Sequence, residues 1–138
     1  MTLIELTKEL ILLRKKPTTE ERFKSYPRLL QAFKEALDAC DDPAVLREVI
    51  QLDAGYYLLA GYRQRVLEKW LAHERTPEVL RLYARQLLMF GDVDEFGQAR
   101  TDVDSLVDAL EAEADALEQQ AASTDGAAYS TSTASTST

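Results

Sequence analysis

The phrase Pro43-Ala44-Val45-Leu46-Arg47 returns as Pro77-Glu78-Val79-Leu80-Arg81, 34 residues later. Asp42 precedes the first copy and Thr76 the second. Both side chains can accept a hydrogen bond from a free N–H of a helix's first turn. Proline at the next position has no N–H to leave unsatisfied, and its fixed φ suits a helix. Each copy opens an apolar run, and a glycine follows each run, Gly61 and Gly91. A chain that starts two helices in the same way at a fixed interval is constrained to helical hairpins.

The flanking sequence has the same period. Leu3, Leu6, Leu10 and Leu13 form one stripe, which predicts a helix over 2–16 closed by Arg14-Lys15-Lys16 and Pro17. Thr18-x-x-Glu21 reads as a capping box for the next helix, whose apolar face is Phe23, Tyr26, Leu30, Phe33, Leu37 and Cys40. Pro27 falls within that face and predicts a break, giving helices over 19–26 and 27–40. Residues 43–60 are apolar almost all round, so this helix is expected to be the central, most buried one. Helices over 62–74 and 77–90 follow, the first burying Val66, Leu67, Trp70 and Leu71. Gly91 is placed to end the second in a left-handed conformation. A last helix is expected over 101–121, with a narrow stripe of Val103, Leu106, Leu110, Ala114 and Leu117. Residues 122–138 are mostly Ser, Thr and Ala and have too little apolar surface to offset the entropy of ordering, so they are expected to be disordered. No alternating β-type run is present. The expected fold is all-α: a compact array or bundle of about six antiparallel helices in a single domain over 1–121.

Residues 80–96 carry Leu80, Tyr83, Ala84 and Leu87, then Gly91-Asp92-Val93-Asp94-Glu95-Phe96. With the 34-residue interval, this resembles the tetratricopeptide repeat, a helical hairpin of the α-solenoid class. Ala54, Tyr57, Gly61 and Trp70 echo it more faintly. The resemblance is limited to about residues 43–100 and implies a protein-binding scaffold. Armadillo- or HEAT-like pairs fit as well, and a non-repeating bundle is the alternative architecture.

Charge is unevenly placed. Residues 1–85 carry +2, whereas 86–138 carry −10 with Arg100 as the only cation. An acidic end repels nucleic acid and anionic membrane, so neither is an expected partner. No run is long enough to span a bilayer, and Glu5, Lys8 and Glu9 interrupt any signal-peptide core. One cysteine, Cys40, cannot form an internal disulfide, and a cytoplasmic location is expected.

Residues suited to catalysis are few. His73 is the only histidine and lies in the last turn of its expected helix. Cys40 sits on an apolar face and reads as a small buried hydrophobe. Asp92-x-Asp94-Glu95 and Asp102-x-Asp104 do not continue as calcium loops. No phosphate-binding glycine loop is present. No catalytic, cofactor or metal residue is assigned, and no cofactor is expected. Arg47 and Arg81 are equivalent in the doubled phrase and would project from one side of stacked hairpins, with Arg85 one turn beyond Arg81. They are either solvated, bound to the chain's own acidic helix, or free to grip carboxylates of a partner. Tyr57 and Tyr83 are candidate groove residues. Leu106, Leu110 and Leu117 are a candidate seam for another helix, including that of a second copy.

The expected function is therefore a non-catalytic protein–protein interaction module, an adaptor, scaffold or assembly factor. The alternative is a small helical-bundle enzyme or small-molecule-binding protein with an aromatic pocket among Tyr56, Tyr57, Trp70 and Tyr83.

Overall fold

A computed structural model of the chain describes residues 1–15, 20–93, 98–101 and 103–132. Among them are six helices: α1 (Leu3–Lys15), α2 (Glu20–Ala39), α3 (Pro43–Leu52), α4 (Ala60–His73), α5 (Pro77–Phe90) and α6 (Asp104–Ser132). The fold is all-α apart from one short antiparallel ladder, β1 (Asp92–Val93) with β2 (Ala99–Thr101), which pairs Asp92 with Thr101 and Val93 with Ala99. No described helix is long and apolar enough to cross a membrane.

The helix starts follow the local chemistry. Asp42 Oδ1 accepts from the Ala44 N–H at 2.9 Å, and Thr76 Oγ1 accepts from the Val79 N–H at 3.4 Å, so both copies of the doubled phrase are capped as expected. α1 has a reciprocal cap that the sequence reading overlooked. The Thr2 N–H donates to Glu5 Oε1 at 3.0 Å and the Glu5 N–H to Thr2 Oγ1 at 3.2 Å. The Thr2 bonds hold the Glu5 carboxyl below its usual range. The capping box expected at Thr18 lies outside the described residues.

Several expectations need correction. α2 is continuous through Pro27, so the break between 26 and 27 does not occur. Pro27 is exposed, and on that side a carbonyl left without its donor can turn to water, while the buried stripe through Phe33 and Leu37 keeps the helix together. α3 stops at Leu52 instead of running to 60. The stop is Asp53, whose N–H still reaches Val49 O while its carboxylate turns forward to the loop. Gly61 is therefore a buried first-turn residue of α4 and no terminator. The central helix is consequently α4, which buries Val66, Leu67, Trp70 and Leu71 together with Gly61, Arg63 and Gln64. α6 (Asp104–Ser132) begins at Asp104, since Thr101 belongs to β2. Residues 133–138 of the expected disordered tail lie outside the described residues.

α1 packs on α2 and α3, α3 on α4, α4 on α5, and α5 on α6. A single core runs through all six helices, from Leu6 and Leu10 through Phe33, Leu46, Val49, Trp70, Leu80 and Leu87 to Val107, Leu110 and Ala114. Cys40 lies one residue past α2 and is half-buried against the core, with its Sγ 3.8 Å from Asp42 O, so it is less buried than expected.

Candidate interaction surface

The two arginines of the doubled phrase both end on carboxylates 30 or more residues further along the chain. Arg47 of α3 donates through Nε and Nη2 to Glu78 Oε2, each at 3.2 Å. Glu78 opens α5, so this pair ties the starts of the two equivalent helices. Arg81 of α5 reaches three carboxylates of α6. Its Nη1 meets Glu111 Oε2 at 2.6 Å, its Nη2 meets Asp115 Oδ1 at 2.7 Å, and its Nε meets Glu118 Oε1 at 2.9 Å. Positions 111, 115 and 118 share one helical face, which is why a single guanidinium can hold all three. Arg75 adds a two-pronged contact to Glu113, with both N···O distances 2.7 Å. The bonds to Asp115 and Glu118 push Arg81 further above its ordinary range, and Arg75 lowers the Glu113 carboxyl. Of the alternatives open for the arginines, Arg81 takes the self-contact. Arg85 is exposed and joins none of these bonds.

The leucine seam of α6 is also used internally. Leu110 is buried with Val107 and Ala114, and Leu106 and Leu117 pack against the same core. As folded, that stripe is turned onto the chain's own core, with Leu106 and Leu117 partly buried.

The four aromatics of the supposed pocket have separate partners. Tyr57 is in the 53–59 loop, not in a helix, and Lys15 Nζ lies 5.4 Å from its ring centre. Trp70 is fully buried and its Nε1 donates to Glu74 at 2.7 Å. Tyr83 is buried too, with its hydroxyl donating to Glu68 Oε2 at 3.3 Å. Burial, then the charges of Glu68 and Asp92, push its phenol up to about 12. Tyr56 stacks on Arg63, whose guanidinium carbon is 4.3 Å from the ring centre.

The feature that sequence reasoning missed is the buried pair beneath Tyr56. Asp53 is fully buried and Arg63 is 4% exposed. Arg63 Nη1 donates to Asp53 Oδ2 at 2.9 Å and to its backbone oxygen at 2.8 Å. Asp53 also accepts from the N–H groups of Tyr57 at 2.7 Å and Leu58 at 3.2 Å. One carboxylate thus ends α3, folds the loop and neutralises an interior arginine. The loop is tight enough that Tyr56 adopts φ 59°, costly for a bulky residue. The available signal was Asp53 itself, the lone charge between Glu48 and Arg63 in an otherwise apolar stretch.

This loop supports an exposed apolar ridge at the end of α5. Leu88, Met89 and Phe90 are 64%, 51% and 39% exposed, and the Phe90 and Tyr56 ring centres are 6.0 Å apart. Open surface depressions are present elsewhere among the described residues. One of about 440 Å³ includes Arg47, Glu48 and Glu74, and one of about 480 Å³ includes Met1, Leu29 and Ala32. His73 Nε2 lies 3.7 Å from Asp41 Oδ1 at the end of α4. Among the described residues, no group of three or more His, Cys, Asp or Glu is placed to hold a metal ion. Comparison with protein-family models, curated proteins and solved structures finds no match for this chain.

Proposed function

We propose that the chain is a non-catalytic protein–protein interaction module, an adaptor or assembly factor built on two helical hairpins, and that it works in the cytoplasm. The observation that carries this reading is the ridge of Leu88, Met89 and Phe90. Three consecutive large apolar residues stay exposed where a buried ion pair and a strained loop hold their surroundings in place. Large apolar side chains exposed together at one helix end, on a rigid support, suit a partner's apolar surface. The ordering of α3, α4, α5 and α6 from the doubled phrase fits a short repeat array of the tetratricopeptide kind, whose usual work is holding other proteins. The free thiol of Cys40 suits a reducing compartment.

Affinity purification after cross-linking in the native cell tests the reading, with the full chain and its Leu88→Asp/Met89→Asp variant as paired baits. The expected result is a stoichiometric protein partner recovered by the native chain and lost from the variant. Recovery of the same proteins by both baits would remove the ridge as the contact.

A further inference from the structure

We propose that the face of α5 beneath α6 is a receptor site for acidic amphipathic helices, occupied in cis by α6 and open in trans to a partner helix of the same pattern. The seated α6 shows what the site selects. It presents a narrow apolar seam at Val107, Leu110 and Ala114, and beside it a carboxylate row at 111, 115 and 118. Arg81 reads the row, and Arg75, in the loop just before α5, reads Glu113. Planar guanidinium groups that bind several carboxylates at once select for that geometry as well as for charge.

Two observations make α6 an exchangeable occupant. First, it packs chiefly on one helix, α5, whereas α4 is flanked by α3, α5 and β1. Its fully buried seam is narrow: one of the three buried residues is an alanine, and Leu106 and Leu117 beside it are only partly buried. Second, the clamp is at the surface: the Arg75 and Arg81 side chains are 52% and 38% exposed. Exposed pairs are individually weak and are screened by salt. A helix whose packing is chiefly on one neighbour is the kind of element that opens before the rest of a core. A partner helix with the same seam and carboxylate row would compete for the same contacts. This inference rests on the interaction-module reading but uses a different surface from the ridge.

The test uses two labelled synthetic peptides in fluorescence anisotropy titrations. One has the sequence of residues 103–123, and the other carries lysine at positions 111, 115 and 118. The native peptide is expected to bind full chain carrying Glu111→Lys/Asp115→Lys/Glu118→Lys, whose own helix is repelled by Arg81. It should bind the native chain at least about tenfold more weakly, because resident α6 competes. Full chain carrying Arg81→Glu should reverse the preference, taking the lysine peptide and refusing the native one. This second variant keeps the test open should the triple variant fail to fold. Flat titrations for both peptides on folded variants, or binding that ignores the charge at position 81, would overturn the proposal. Leu88→Asp/Met89→Asp should leave both titrations unchanged, so failure here and failure of the ridge are separable.

Discussion

Replacing Asp53 with alanine removes the interior partner of Arg63, and the structure fixes what that costs. Arg63 is 4% exposed, so its charge cannot recover water where it lies. Breaking a buried pair by deleting one member costs about 3–5 kcal/mol, because the other charge is left uncompensated. The same change takes the acceptor from the Tyr57 and Leu58 N–H groups, so about 3 kcal/mol is the lower bound. A domain of this size has only about 5–15 kcal/mol of stability in total. The midpoint of thermal unfolding should therefore fall by about 10–15 °C. Trp70, fully buried and the only tryptophan, reports the transition by fluorescence, and helical circular dichroism reports it independently. Arg63→Met should cost less, because Asp53 keeps two backbone donors. The double variant should be less destabilised than the sum of the two, by about 1–3 kcal/mol. Added sodium chloride should change none of this, since the pair is out of reach of screening. A loss below about 1 kcal/mol for Asp53→Ala, or strict additivity in the double variant, would refute the reasoning.

Further outcomes follow from single sites. Gly91→Ala should cost about 1–3 kcal/mol in urea unfolding although nothing lies within 4 Å of the added carbon, because φ 76° with ψ 177° is a backbone region that only glycine occupies freely. Gly55→Ala should weaken the Lys15–Tyr57 contact and destabilise the 53–59 loop, since the new carbon would lie 2.4 Å from Tyr57 Cε2. A shifted Tyr57 resonance measures it. Ultraviolet titration of the six tyrosines should show one late component near pH 12 that Tyr83→Phe removes. The folded phenol is raised above its ordinary 10.0, so stability from this group is intact below pH 10 and is lost as pH climbs toward about 12. Amide hydrogen exchange should show α6 protected less than α4 and α5, and less still at high salt. Equal protection across the three helices would contradict the exchangeable seating of α6.

The helices that carry the doubled phrase were legible because their signals are local. An acceptor side chain before a proline, with apolar residues at helical spacing after it, specifies a start without help from distant residues. α5 accordingly runs Pro77–Phe90 as expected. The boundaries that sequence missed were set by contacts made elsewhere. The one mark near Leu52 is Asp53, a single charge inside a hydrophobic run that continues past it. Asp53 ends α3 only because Arg63, on the following helix, gives its carboxylate a reason to be inside. Pro27 reads as a break, yet α2 continues because the proline lies on the exposed side.

The candidate surfaces divide in the same way. The sequence by itself determined that Arg47 and Arg81 are equivalent and that the last helix is an acidic amphipath with one narrow seam. Those are properties of spacing and charge, and both are present in the folded chain. Only the tertiary structure decided which carboxylates the arginines meet: Glu78 for Arg47, and three residues of α6 for Arg81. An ion pair across 30 or more residues depends on how helices stack, and periodicity along one helix does not fix that stacking. The apolar ridge had the same origin. Leu88, Met89 and Phe90 read as one more hydrophobic run, and only the packing of the other helices leaves them exposed.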